Sequence, residues 1–482
     1  MSWLSILVIL PILGIAALFS VPRQVRAWIP VVVTGLNLIA TGVALIALPT
    51  PVKSLSASSG GWLFDPLSLG ISAITLVVGL TAAMYSVGYV RRDVAAMKSS
   101  VEKELHYFTL FLVFYLSLLA VPLLQNVFFT WGAVELTALA SVLLVDWHDT
   151  QLTHEATWKY LVIMITGGLI ALFGLVLFVG FAKVPLPDAT WSTFSHMAKT
   201  VPPVMERVSF VLVLAGFGAK AGLVPFNFWL PDAHSQAPSP ISAMLSGIKL
   251  NCGMYGILRL QAILHSGGQS NFANWMLATV GFVTIAVSAL MTVAQTDYKR
   301  LFAYSSAENL GLIAIGFAFG PLGMLAGYLQ MANHALIKSM LFYQSGELLH
   351  IWGSTDMRGL SGISSVLPRT GHALMFSMLA IAGAPPFGLF ISEFLILYAI
   401  ANHGAIWLAV LLILCLVLLF GNFLRYAIQI GYGEPSSQLR LLQRSREGAG
   451  ILVPTSVHLA MTLMLGTLLP LVVSGLIHTS FV

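Results

Sequence analysis

Read for apolar and polar positions, the chain is a succession of apolar runs of about 20 residues separated by short polar stretches, and a helix of that length crosses a hydrocarbon core. Inside a bilayer the backbone has no water to bond, so such runs can be satisfied only as helices. Fourteen are expected, centred near residues 11, 38, 77, 113, 134, 169, 216, 252, 281, 309, 336, 385, 413 and 465. The longest polar stretches, roughly 183–207 and 426–450, are loop-sized. The pattern predicts an all-α polytopic membrane protein with no soluble domain.

Composition agrees: 58% of residues are hydrophobic, 9% are charged, and the mean hydropathy is +0.90. The first run, Met1 to Ser20, has no basic n-region and is followed by Arg23 and Arg26, which favours a retained helix over a cleaved signal. Loops after odd-numbered runs carry fourteen basic residues: Arg23, Arg26, Arg91, Arg92, Lys98, Lys103, Lys299, Arg300, Arg358, Arg369, Arg425, Arg440, Arg444 and Arg446. The other side carries four, Lys53, Lys183, Lys199 and Arg207. The positive-inside rule then makes the first set cytoplasmic and places both termini outside the cytoplasm. The net charge of +5 reports topology and gives no reason to expect a nucleic-acid partner.

Several chemistries are excluded. Cys252 and Cys415 stand alone, so no Cys-ligated iron–sulfur cluster or c-type haem is expected. There is no GxxxxGK[ST] loop for direct ATP-driven pumping and no GxGxxG after a strand. The twelve histidines form no metal-binding spacing. No cofactor, metal or redox centre is expected, and any ion movement must draw on a gradient or a partner.

Two runs are interrupted. The seventh breaks at Pro225, five residues after Lys220, in the otherwise apolar segment Gly216 to Pro225; the twelfth breaks at Gly383-Ala384-Pro385-Pro386-Phe387-Gly388, before Glu393. A proline frees backbone carbonyls that protein or water must satisfy, so paired breaks point to a hydrated path and suggest an internal repeat. A charge at bilayer depth costs about 2.5 to more than 10 kcal/mol, so Lys220 is a functional candidate in need of a partner, and Glu135 is the one available. Glu135 to Glu308 and Lys220 to Glu393 are both separated by 173 residues. The expected division is residues 1–104 for helices 1–3, 105–265 for helices 4–8, 266–428 for helices 9–13, and 429–482 for a loop and helix 14.

Trp62-Leu63-Phe64-Asp65-Pro66-Leu67-Ser68, Tyr85-Ser86-Val87-Gly88-Tyr89, Trp229-Leu230-Pro231-Asp232-Ala233-His234, Ala237-Pro238-Ser239-Pro240, Asp297 to Ser306 and Asn333-His334-Ala335-Leu336-Ile337-Lys338-Ser339 together resemble the antiporter-like subunits of respiratory complex I and its relatives. Ala156-Thr157-Trp158-Lys159-Tyr160, Ser305 to Asn309 and Leu250-Asn251-Cys252 are most similar to hydrogenase-4 component F. The resemblance implies two inverted five-helix repeats, helices 4–8 and 9–13, with helices 7 and 12 broken. It gives Glu135 and Lys220 the role of the pair that opens and closes as protons are loaded, His334 and Lys338 that of the helix-11 relay, and Glu393 that of the terminal site. The chain departs from the pattern at Asn251, where relatives usually have lysine; Lys249, about 200° away around the helix, offers another route. The last run ends near residue 482, so no long lateral helix is expected.

Lys159, His234, Lys299, Glu308 and Asp146 are further relay candidates. Lys159 reads equally as a snorkelling anchor near the start of the sixth run. Asp146 with His148 and Asp149 could gather protons at a cytoplasmic mouth, although a solvated helix end explains them too. His234 reads as a loop histidine at the break, and Glu347 and His350 as structural.

The leading expectation is a proton-translocating membrane subunit of a redox-driven complex of the hydrogenase-4, formate hydrogenlyase or complex I kind, in a bacterial or archaeal cell membrane. Two alternatives share the same helices: a subunit of a cation/proton antiporter carrying H+ or Na+, and the membrane half of an inorganic-carbon uptake system with a zinc-dependent CO2-hydrating partner. Neighbouring genes would discriminate among them.

Overall fold

The computed structural model describes residues 3–47, 61–97, 99–435, 439 and 449–467. Of the basic residues used for orientation, Lys53, Lys98, Arg440, Arg444 and Arg446 lie outside this set, as does the chain after residue 467. Among the described residues there is no β-strand, and helices occupy the apolar runs.

In chain order these are α1 (Trp3–Ser20), α2 (Ile29–Ala47), α3 (Pro66–Ala95), α4 (Lys103–Leu123), α5 (Val127–Val145), α6 (Gln151–Ala182), α7 (Pro203–Ala221), α8 (Trp229–Gln236) and α9 (Ser239–Met244). A π-helical turn, Leu245–Lys249, leads into α10 (Leu250–Gly267), followed by α11 (Ser270–Thr292), α12 (Tyr298–Ala318), α13 (Gly320–Trp352), α14 (Pro368–Ile381), α15 (Gly388–Asn402), α16 (Ile406–Gly431) and α17 (Leu452–Thr467).

Among the described residues eight helices, α2 to α6, α11, α12 and α16, are long and apolar enough to cross a membrane, and α1, α15 and α17 are shorter apolar helices. The others fall short for identifiable reasons. α7 carries Glu206, Arg207 and Lys220; α14 and α15 are two halves of an interrupted run; α13 holds Gln330, Asn333, His334, Lys338 and Glu347. The protein is a multi-pass, all-helical membrane protein.

The two breaks share a backbone solution. α7 ends at Gly222, whose φ of 75° is open to glycine at little steric cost, and the freed Ala219 carbonyl accepts the Trp229 indole N–H at 2.9 Å. α14 ends near Gly383, φ 77°, and a proline again follows three residues on. Gly222 and Gly383 are 161 residues apart, as are Pro225 and Pro386. The 173-residue spacing of Lys220 and Glu393 therefore does not mark matching places: Lys220 lies two residues before its break and Glu393 on the half-helix after its own.

The chain divides into two compact units, Met1–Met276 and Leu277–Val482. In the first, α6 and α7 pack most closely. Small residues permit this, for a Cβ on Gly167 would stand 2.8 Å from the Gly216 carbonyl oxygen. The polar stretch 183–207 is not a plain loop. It contains a short helix, Trp191–Met197, which buries Trp191 and Phe194 and packs on α10, and Pro203 already opens α7. In the second unit α13 packs on α12, α14, α15 and α17. Lys299, counted above as a loop residue, is buried in the first turn of α12, because Asp297 caps that helix by accepting the Arg300 N–H at 2.9 Å. Arg425 likewise belongs to α16.

Candidate functional site

In the first unit the site is assembled from α5, α6, α7 and the turn before α10. Asn126 caps α5 through the N–H groups of Phe128 and Phe129, and Glu135 projects from its third turn. Lys220, in the last turn of α7, is 1% exposed, and its amine lies 3.0 Å from the Glu135 carboxylate. It also donates to the Met164 carbonyl of α6 at 2.9 Å. The carboxylate lies against Gly168, whose carbonyl accepts the Trp131 indole N–H at 2.9 Å.

Lys249 occupies an aromatic box in the same cluster. Its amine stands 4.4 Å from the centre of the Tyr160 ring and 4.6 Å from that of Trp229, and it donates to the Met164 sulfur at 3.1 Å. The two rings stack on each other at 4.7 Å. Ring quadrupoles attract a desolvated cation with about 2 kcal/mol or more, so the box can hold a proton delivered to this amine without supplying an anion. Met164 thus touches both lysines, one through its backbone and one through its side chain. The Asn251 amide donates instead to the Gly247 carbonyl of the preceding π-helical turn, at 3.0 Å. The π-helical turn inserts an extra residue per hydrogen-bonded ring immediately before α10 and changes the angular position of Lys249, which the α-helical estimate of 200° does not describe.

Other candidates in this unit lie apart from the pair. Lys159, nine residues into α6, bridges Glu155 at 2.7 Å and Asp232 of α8 at 3.0 Å. His234 is fully buried in α8 and is not a loop residue; its carbonyl accepts the Ser242 hydroxyl at 3.2 Å. Asp146 groups with Asp149 and His154, not with His148, whose imidazole and the Trp147 indole both turn to Asp93, at 3.0 and 3.1 Å. Lys103 beside Asp149 holds that exposed carboxyl below its usual range.

In the second unit Glu308 of α12 and His334 and Lys338 of α13 are buried, and Glu393 of α15 is half-buried. His334 and Lys338 are fully buried one turn apart. The Lys338 amine donates to the Phe302 carbonyl at 2.5 Å and to the Ser305 hydroxyl, while Glu308 accepts from the Asn309 amide at 2.6 Å. The Glu393 carboxylate packs against Gly383 at the break, where a Cβ would collide with it. Glu347 is buried, and the His350 Nδ1 bonds the Gly346 carbonyl at 2.9 Å, a structural contact.

Sequence reasoning missed the partners that shape these sites. Trp229 stood within a recognised motif, but nothing in the sequence signalled that it and Tyr160 would enclose Lys249. Arg259 is a basic residue within the apolar run of α10, and nothing in the sequence signals its partner; it clamps Asp65, the cap of α3, with Nη2 at 2.8 Å from Oδ1. Burial pushes the Asp65 carboxyl up, and Arg259 with Ser68 overrides this and holds it below the usual range.

Residues 124–419 match the family described as NADH:quinone oxidoreductase/Mrp antiporter, transmembrane. A hydrogenase-4 component F homolog from Methylacidiphilum infernorum (isolate V4) is 31% identical over 444 residues, covering 90% of this chain and 92% of that one. Two solved structures share the fold: a chain of the membrane-bound sulfane sulfur reductase, an archaeal respiratory membrane complex, with TM-score 0.86, 24% identity and coverage of 99% and 96% of the two chains, and a chain of the Mrp complex from Dietzia sp. DQ12-45-1b, with TM-score 0.80, 21% identity and coverage of 98% and 96%. The match to the family model and to the hydrogenase-4 relative, with buried Lys220 paired to half-buried Glu135 beside a broken helix, makes the chain a member of the NADH:quinone oxidoreductase/Mrp antiporter family, an antiporter-like membrane chain of the complex I superfamily.

Proposed function

We propose that this chain is a proton-translocating subunit of a larger membrane complex, with Glu135, Lys220 and Lys249 loading protons in one unit and Glu308, His334, Lys338 and Glu393 carrying them in the other. The observation that carries the reading is the Lys220–Glu135 contact of 3.0 Å with the lysine 1% exposed, two residues before a helix break. Glu135 contacts Lys220 and lies within electrostatic reach of Lys249, so an added or removed proton changes which amine it favours. Separating a pair from about 4 to about 10 Å at an effective dielectric near 20 removes roughly 2.5 kcal/mol of attraction, enough to release the lysine's proton to a neighbour. Lys249, boxed by Tyr160 and Trp229, is that neighbour, and Asn251 serves at most through water.

The cargo on this reading is H+. A lysine amine takes up and gives off a proton, with Lys249 the neutral amine that receives it, whereas a sodium ion would find only one carboxylate and one carbonyl beside the Lys220 ammonium. Fourteen membrane helices in two inverted repeats, with both termini outside the cytoplasm, complete the reading. Its driving partner is a redox module of the kind that the hydrogenase-4 name of the relative implies. A cation/proton antiporter assembly is the second reading, favoured by the likeness to the Mrp complex chain. Lys159, His234, Lys299 and Asp146 act as local supports at the edges of the two sets.

The test is Lys220→Ala in the assembled complex in proteoliposomes. Proton uptake is expected to vanish while the complex still assembles; uptake at the wild-type rate would overturn the proposal.

A further inference from the structure

In the second unit the Glu308 carboxylate takes its hydrogen bond from an amide, and that amide belongs to a series. The Asn309 Nδ2 donates to Glu308 at 2.6 Å, the Gln330 Nε2 of α13 donates to the Asn309 Oδ1 at 2.8 Å, and the Ser392 hydroxyl of α15 donates to the Gln330 Oε1 at 2.5 Å. Asn333 of α13 adds a longer bond to the Ser392 hydroxyl, 3.5 Å. Asn309, Gln330 and Ser392 are all fully buried.

In this arrangement every bond donates the same way, from α15 through α13 to the carboxylate of α12, with the Leu389 carbonyl, 2.9 Å away, the alternative acceptor for the single Ser392 hydroxyl proton and the Ser305 carbonyl, at 2.8 Å, a second acceptor for the Asn309 Nδ2. Aligned donors polarise one another, and the last one faces an acceptor that is strongest when ionised. All three side chains are fully buried, so a broken link leaves its acceptor in an apolar setting at a cost. The series therefore reorganises as a unit. Its far end, Ser392, is the residue before Glu393.

We propose that Asn309, Gln330 and Ser392 are positioning residues that couple the charge on Glu308 to the placement of the half-helix carrying Glu393. With Glu308 ionised, the series is drawn toward α12 and holds α15 by Ser392. When Glu308 accepts a proton its pull weakens, the amide series relaxes, and α15 is freed to reorient Glu393 against Gly383. This rests on the reading of Glu308 and Glu393 as proton-carrying groups. Among the described residues, the titratable groups within electrostatic reach of Glu308 include Lys338 on α13, Glu393 on α15 and Cys415 on α16.

The test is infrared difference spectroscopy on the assembled complex, with the Glu308 carboxyl bands assigned by their loss in Glu308→Gln, alongside proton uptake. Gln330→Met and Ser392→Ala are expected to shift those bands and to slow uptake by about fivefold or more, whereas Ser392→Thr, which keeps the hydroxyl, retains both. Unshifted Glu308 bands in Ser392→Ala or Gln330→Met would overturn the coupling, including when uptake falls. Wild-type uptake in Glu308→Gln would instead overturn the underlying reading of Glu308, and the band shifts would still decide the coupling.

Discussion

At the scale of single residues, Lys220 is held by one charge and one dipole, the Glu135 carboxylate at 3.0 Å and the Met164 carbonyl at 2.9 Å. Two groups in such contact act as one unit, so their substitutions should not add. A double-mutant cycle on proton uptake with Glu135→Asp and Lys220→Arg is expected to give a coupling above about 0.5 kcal/mol, the range of independent sites. A smaller value would mean that the pair is not the switch. Lys249 and Asn251 separate in the same assay. Lys249→Met is expected to slow uptake by about tenfold, near 1.4 kcal/mol, while Asn251→Leu leaves it close to wild type. The opposite order would route protons past Asn251. The lysines and the glutamates were legible as residues because an ionisable group in an apolar run calls attention to itself; which of Lys249 and Asn251 joins the pair was not, because a π-helical turn alters the angular count.

At the scale of elements, the interruptions do most to set the site. Proline and glycine announced both, yet equal spacing along the chain suggested a correspondence between Lys220 and Glu393 that the breaks do not share, since connecting segments of unequal length shift one count and not the other. Arg259 and Asp65 tie α10 to the start of α3, a link between residues 194 apart in sequence. Asp65→Asn leaves the buried guanidinium without its charge partner and is expected to cost about 2–3 kcal/mol of stability, less than a fully buried pair because both side chains keep some exposure. The Asp65 carboxyl is held below its unfolded value, so the contribution is complete above about pH 4 and is lost as pH falls through the folded-state value. Thermal unfolding in detergent across that range should show the wild type converging on the variant at low pH. Parallel curves would assign the effect to packing.

At the scale of the whole molecule, the distribution of basic residues near the helix ends and in the loops predicts orientation. A reporter enzyme that works only outside the cytoplasm, fused after Val482, is expected to be active, and fused into the stretch around Arg91 and Arg92 to be silent. Activity in the reverse pattern would invert the topology. The sequence by itself determined the class, because runs of apolar residues of bilayer length have no alternative to helix, and it determined the family, because motifs from Trp62 to Ser339 are dense and specific. It also marked Lys220 with Glu135, since charge in such surroundings is costly enough to be rare, and through the resemblance His334, Lys338 and Glu393. What only the tertiary structure decided is who meets whom: Lys249 with Tyr160 and Trp229, Arg259 with Asp65, Gln330 with Asn309 and Ser392. Those contacts depend on how helices far apart in sequence are rotated and offset against one another, and a turn of π-helix or a few residues of loop changes that rotation without leaving a mark in the apolar pattern.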